Sequence, residues 1–353
     1  MTYTVFITGA TGYIGGEVLY QLLNNADGLN FEVTALVRTE SKAANLIAKT
    51  GSRVKAVLGD LDDTELIKKY TEASDIIINT ANVDHVPSAE ALSEVLVASL
   101  KPKILIHTSG TSVLGDGIKA KKPPATKIYS DSNNIGELNS LPLAQPHRPV
   151  DAIVLDIHDK NPKIETIVIA PSTIYGISNG YDNLYSIQIP FLISASLKNK
   201  QAFTVYDGNY IWSRVHIKDL GDLYYLVLHK LIKKESLPVN REGYYFGSLT
   251  IQDAPNSAAP TEIEHTWKEI SQTIGKKLYE RKLVNSAEIV ELQPQAIIEL
   301  TGDDFAPAYW GTNSRSRGDN GKLIGWKPKY TSKQEFLDSI DDDIDHIIKN
   351  LKF

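Results

Sequence analysis

A doubly wound parallel α/β sheet with a smaller mixed C-terminal lobe is the fold class that this 353-residue chain predicts. Three observations carry it. Strand and helix patterns alternate through the first half, three glycines at i, i+3 and i+6 follow the first strand, and the pattern loosens into loops after Tyr175. Alternation of this kind implies right-handed crossovers and therefore a parallel sheet.

The elements follow in order. Tyr3 to Ile7 is a strand, and the helix behind the glycines carries Val18, Leu19, Leu22 and Leu23 at helical spacing. Phe31 to Val37, Val54 to Leu58, Asp75 to Asn79 and Lys103 to Thr108 read as the next strands. Between them lie helices over Glu40 to Thr50, Asp63 to Glu72 and Ser88 to Leu100. A polar, proline-bearing stretch from Gly115 to Pro149 interrupts the pattern. Asp151 to Asp159 is then a helix and Glu165 to Ala170 a strand. Further on, helices are expected over Ile187 to Leu197 and Lys218 to Lys233, a strand over Tyr244 to Gly247, helical segments within Ala254 to Thr301, and a closing helix over Ser332 to Leu351. Residues 1–175 thus form the expected nucleotide domain, with strand and helix returns around 211–250, and 176–353 mainly a substrate lobe.

Composition narrows the partners. With 42% apolar and 23% charged residues and a net charge of −6, neither nucleic acid nor an anionic membrane is an expected partner. No apolar run approaches the roughly 20 residues that span a bilayer, and the chain opens on a strand rather than a secretory signal. A cytoplasmic location is the expectation. The absence of cysteine excludes disulfides, thiolate metal sites and cysteine nucleophiles.

The glycine turn Thr8-Gly9-Ala10-Thr11-Gly12-Tyr13-Ile14-Gly15 is the Rossmann-type signature of dinucleotide binding. Gly9 permits a sharp turn, Gly12 lets the backbone approach a pyrophosphate, and Gly15 lets the helix pack close to the sheet. The helix N-terminus offers free N–H groups and the positive end of its dipole. Strand two ends in Leu36-Val37-Arg38, where an NAD site usually places a carboxylate for the ribose 2′-OH; Glu40 should be carried away by the helix. Arg38 presents a planar fork to a 2′-phosphate and Lys42 adds a point charge, so the expected cofactor is NADP(H).

Together these motifs resemble the extended short-chain dehydrogenase/reductase family, of the epimerase/dehydratase kind. Thr8 to Gly15 is similar to its TGxxGxxG fingerprint. Asp60 and Leu61 match its adenine-side element, Thr80, Ala81 and Asn82 its segment after strand four, and Thr108 the end of strand five. Ala170-Pro171-Ser172-Thr173-Ile174-Tyr175-Gly176 is similar to its turn beside the nicotinamide. Arg214 to Leu220 and Leu323 to Pro328 match two later segments. The resemblance implies cofactor contacts by Pro171 and Thr173, and a homodimer paired through two helices of the nucleotide domain. It also implies NADPH-dependent reduction of a small aldehyde or ketone.

The chain departs from the family at its chemistry. No YxxxK occurs, and its place falls on His147 to Asp151, with Gly110 where the catalytic Ser or Thr belongs. Two proton donors compete: His147 supported by Asp151, or Tyr129 from the irregular stretch with Ser109 or Thr111 as hydroxyl partner. Pro149 should start the helix, which would leave His147 outside it. Tyr175, Tyr210, Trp212 and Arg214 are the expected substrate contacts. A silent NADP sensor of the NmrA-like kind, or an epimerase/dehydratase using bound nucleotide, is the alternative. Asp156, His158 and Asp159 on one helix lack the geometry of a metal triad, and Asp341 to Asp343 reads as a solvated face; no metal is expected.

Overall fold

The computed structural model describes residues 2–25, 27–120, 125–250 and 258–350. In β1 (Thr2–Thr8), Val5 and Ile7 serve one face and Phe6 the other, and all three are fully buried. Burial on both faces is the mark of a strand covered by helices on each side. The same holds for β4 (Ile76–Asn79), whose four residues are all buried.

Seven parallel strands make the central sheet. Their order is Tyr244–Gly247, Ile164–Pro171, β5 (Lys103–Thr108), β4, β1, β2 (Asn30–Val37), β3 (Val54–Leu58). Strand order reverses between β1 and β4, and a crevice opens beyond their carboxyl ends. On one face pack α1 (Tyr13–Asn24), through Val18, Leu19 and Leu22, and the long helix Ile217–Lys233. The other face is covered by α3 (Thr64–Ala73), α4 (Val86–Ala98) and the helix Arg148–Lys160. α2 (Glu40–Thr50) flanks β3.

A second core gathers around Ile189, Phe203, Trp267, Trp310 and Phe336. Its framework is the sheet Glu264–Thr266, Ile211–His216, Thr173–Tyr175 with the helices Gln188–Asn199 and Trp267–Glu280.

The differences from expectation are local. The helix expected at Asp151 begins at Arg148, with Pro149 in its first turn. Within 115–149 stand a short strand, Tyr129–Ser130, paired with Ser316–Arg317, and a helix, Ile135–Asn139. The closing helix is two helices, Lys333–Asp338 and Ile340–Asn350, interrupted at Ser339; Leu351 lies outside the described residues. In the stretch expected to be helical from Ala254, residues 254–257 lie outside them too. The remainder holds the strands Glu264–Thr266 and Val290–Leu292 besides its helices. Strands of three residues are too short to show alternation. No helix among the described residues is long and apolar enough to cross a membrane.

Candidate active site

The glycine turn is built by contact rather than by preference alone. Gly9 has φ +80°, and a Cβ there would stand 2.6 Å from the Thr80 carbonyl oxygen. A Cβ on Gly15 would stand 2.3 Å from the Gly9 carbonyl oxygen, so this glycine sits behind the turn, outside the cleft lining. Gly12 caps α1 without any side-chain bond, which leaves the first N–H groups of the helix available to an anion. The buried carboxylate of Glu17 ties α1 to the loop beyond Tyr175 by accepting the Ser178 hydroxyl at 2.9 Å and the Asn179 N–H at 2.6 Å.

Over the turn lies a cleft of about 780 Å³. Thr8, Gly9, Thr11, Gly12, Tyr13, Ile14, Arg38, Lys42, Asp60, Leu61, Thr80, Ala81 and Asn82 all line it. Arg38 is exposed with no hydrogen bond or ion pair among the described residues, whereas Lys42 pairs with Asp182 at 3.1 Å. Glu40, the first residue of α2, is not among the residues that line the cleft. The cleft can therefore cradle a dinucleotide at a glycine turn that no larger residue would fit.

Besides Gly15, three of the expected cofactor contacts lie elsewhere. Thr108 is buried, and its hydroxyl bonds the Tyr224 hydroxyl at 2.7 Å. Pro171 and Thr173 are buried within strands, and the cleft is lined instead by Ser172 and Ile174, one residue out of step. Sequence reasoning missed Asp62 and His85, Asn183, Ser186 and Ile187 from the loop over the cleft, and Gln188 at the start of the helix that follows it. Motif spacing carries no signal for that loop.

Asp151 is fully buried, and it is not the partner of His147. The Ser109 hydroxyl donates to its Oδ2 at 2.8 Å, and the Tyr244 hydroxyl donates to the same oxygen. His107 Nε2 lies 3.4 Å from Oδ1. Behind it, Thr8 Oγ1 donates to Asn79 Oδ1 at 2.6 Å, and Asn79 Nδ2 meets His107 Nδ1 at 3.1 Å. With Nδ1 accepting from Asn79, the network assigns the His107 proton to Nε2, facing the carboxylate. A line of polar side chains thus runs along the carboxyl ends of the central strands β1, β4 and β5 toward Asp151, with no hydrogen bond between His107 Nε2 and Asp151 Oδ1, and burial pushes the Tyr244 phenol well above its ordinary range.

His147 stands just before the helix, in the left-handed conformation at φ 65°. Its Nδ1 lies 2.9 Å from Asp84 Oδ1, its backbone N–H donates to the same oxygen at 3.1 Å, and its Nε2 lies 2.5 Å from Ser112 Oγ. The histidine contact holds the Asp84 carboxyl below the usual carboxylate range, against partial burial. Neither Asp84 nor Ser112 was legible as a partner in the sequence. Thr111 is fully buried, and its hydroxyl makes no hydrogen bond among the described residues. Tyr129 is absent from the cleft lining, and the Lys127 ammonium sits 4.2 Å from its ring centroid.

The four expected substrate contacts are core residues. Tyr175 donates to the Tyr330 carbonyl at 3.1 Å, Tyr210 to that of Lys119 at 3.1 Å, and Trp212 to that of Thr312 at 2.7 Å. Arg214 is fully buried, its guanidinium donating to the carbonyls of Glu264, Glu262 and Thr331. Their polar atoms are turned inward, so none faces the cleft. Asp156 and Asp159 hold Arg241, and His158 Nδ1 meets the Ile164 carbonyl at 2.7 Å. Asp341 pairs with Lys277 and Arg281, while Asp343 is buried rather than solvated.

A seven-stranded parallel sheet with a glycine turn at its switch point and a second lobe defines an extended short-chain dehydrogenase/reductase. The chain belongs to the NAD dependent epimerase/dehydratase family, which matches residues 5–239. It is 30% identical over 336 residues, 93% of each chain, to a protein of Acremonium named oxidase ucsJ. Among solved structures it is similar to the PbgP3 protein of Burkholderia pseudomallei, with TM-score 0.66, 13% identity and coverage of 99% and 98%. It is also similar to UDP-glucuronic acid 4-epimerase of Bacillus cereus, solved with UDP-glucuronic acid and NAD, with TM-score 0.62, 16% identity and coverage of 99% and 100%.

Proposed function

We propose that this protein is an NADP(H)-dependent oxidoreductase that reduces the carbonyl of a small aldehyde or ketone. The observation that carries the reading is Arg38. It lies at the end of β2, lines the cleft, has no ion-pair partner among the described residues, and has no carboxylate beside it on that strand end. A planar guanidinium there suits a 2′-phosphate, with Lys42 one turn into α2. Thr8 to Ile14 and the open N-terminus of α1 would hold the pyrophosphate, and Thr80 to Asn82 the adjoining ribose. Bound NADPH would supply the hydride, from C4 of its nicotinamide.

The chain's own contribution is position and a proton. Holding a carbonyl against the reactive carbon is worth several kcal/mol, up to ~7–11 in favourable cases. His147 stands ready as acid or base, oriented by Asp84 rather than by Asp151. A relative named an oxidase fits the same chemistry, because a hydride site runs in both directions. One observation favours a second reading, a silent NADP-binding protein. The residue at the family's lysine position, Asp151, is sealed in the interior and cannot hold a ribose.

Calorimetric titration with NADPH and NADH, followed by assay of NADPH consumption with a carbonyl panel, separates the readings. Tighter binding of NADPH with turnover is the expected result. Binding without turnover favours the silent protein, and sugar-nucleotide conversion without net NADPH consumption would favour an epimerase or dehydratase. No binding of either nucleotide ends the proposal.

A further inference from the structure

We propose that Ser112 is the residue that meets the substrate oxygen, with His147 and Asp84 behind it as a proton relay. The inference rests on the oxidoreductase reading; Asp84, Ser112 and His147 stand beside the cleft, next to its lining residues Asn82 and His85, rather than in its lining. Asp84 follows β4, Ser112 lies in the single 3-10 turn Thr111–Leu114 after β5, and His147 precedes the helix Arg148–Lys160. β4 and β5 are neighbours in the sheet, so two of the three loops leave adjacent strand ends at the mouth of the crevice. The spacing is that of a hydroxyl–imidazole–carboxylate line: 2.5 Å from Ser112 Oγ to His147 Nε2, then 2.9 Å from Nδ1 to Asp84 Oδ1.

Three further observations favour a working relay over a surface hydrogen bond. A histidine at φ 65° carries backbone strain, which persists only where surroundings hold it. Asp84 supplies that hold by accepting both the ring and the backbone N–H. Gly110 leaves the pair uncovered: a Cβ there would stand 3.1 Å from His147 Nε2 and 3.5 Å from Ser112 Oγ. Gly110 has extended backbone angles that any residue adopts, so space rather than conformation calls for glycine. Asp84 is more than half exposed, which connects the line to bulk water for reprotonation.

The step balances. As hydride reaches the carbonyl carbon, the carbonyl π pair takes the Ser112 hydroxyl proton. Ser112 Oγ is restored by the proton on Nε2 of the imidazolium, and His147 is left neutral with Nδ1–H on Asp84. The charged and titratable groups facing the line are His107 on β5 and Tyr309 from the short helix Ala306–Trp310, both within electrostatic reach of Asp84. Arg148, the next residue in the chain, donates instead to the carbonyls of Leu141 and Asn139. Reduction therefore draws its proton from His147 by way of Ser112.

The test has two parts. In cofactor-free protein, nitrogen NMR of the His147 ring reads its two contacts separately. Asp84→Asn should change the Nδ1 resonance, and Ser112→Ala the Nε2 resonance. With NADPH and the panel nitrobenzaldehyde, phenylglyoxal and phenanthrenequinone, Ser112→Ala should lower kcat by roughly 10²–10⁴ with little change in KM. It should also flatten the pH profile, and Ser112→Thr should restore both. An unchanged kcat in Ser112→Ala, or His147 signals indifferent to both substitutions, overturns the relay and leaves the oxidoreductase reading standing. NADPH binding with no turnover by the wild-type protein overturns both.

Discussion

Ser109 donates its hydroxyl to Asp151 across 2.8 Å, in a pocket where the aspartate has no exposed surface. Tyr244 donates to the same carboxylate and His107 Nε2 lies 3.4 Å from it, so three side chains converge on one buried carboxylate. Removing the carboxylate takes away the acceptor that Ser109 and Tyr244 share. Asp151→Ala should cost about 3 kcal/mol of unfolding free energy, read from urea denaturation. Asp151→Lys should be at least as harmful, since it buries an ammonium among donors. A stable Asp151→Lys protein with improved turnover would show that the site still accepts the family arrangement.

Arg38 tests the cofactor. Losing a charge-assisted bond to a 2′-phosphate costs about 1.5–3 kcal/mol, and a carboxylate in its place adds repulsion. Arg38→Glu should therefore weaken NADPH binding by roughly 10²-fold or more, while NADH binding changes little or improves. Calorimetry with both nucleotides on wild-type and variant protein measures this. Equal losses would remove the 2′-phosphate assignment.

Arg214 separates packing from recognition. Its guanidinium lies 5.2 Å from the ring centroid of Phe336 and donates to three backbone carbonyls. Arg214→Ala would orphan those carbonyls inside the lobe, and should destabilise the protein by about 2–4 kcal/mol. Activity per folded molecule and KM should stay near wild type. A variant of unchanged melting temperature but raised KM would return Arg214 to the substrate.

What could be read from the chain follows from which interactions are local. The glycine turn was legible because each glycine answers a backbone contact within one strand–turn–helix unit. The bare end of β2 was legible for the same reason. Asp84 and His147 are 63 residues apart, and their meeting depends on where two loops leave the sheet. No spacing rule anticipates it. Strand parity misled at Pro171 and Thr173, since one step along a strand exchanges core for cleft. Aromatic residues misled as well: Tyr210 and Trp212 look alike in sequence whether they line a pocket or fill a core.

His216 sets an acid limit on stability. It caps the helix Ile217–Lys233 by accepting the Lys218 N–H on Nδ1 at 3.2 Å, and its ring stacks on Tyr330 with centroids 3.7 Å apart. Room for the ring comes from Gly176, where a Cβ would stand 2.1 Å from Nε2. Burial, with the Lys218 charge adding to it, pushes its pKa down from 6.5 to about 4. In that window the unfolded chain binds a proton that the folded chain refuses. The stability contribution is complete above the unfolded value and is lost as pH falls toward the folded one, by up to about 3 kcal/mol. His265, fully buried and shifted the same way, adds a similar slope. The effect of His216 must therefore be read by difference. Asn at position 216 can still cap Lys218 but does not titrate. Between about pH 7 and about pH 4.5, His216→Asn should lose roughly 2 kcal/mol less than wild type in urea unfolding. Parallel losses in the two proteins would mean that His216 accepts its proton without leaving its place in the fold.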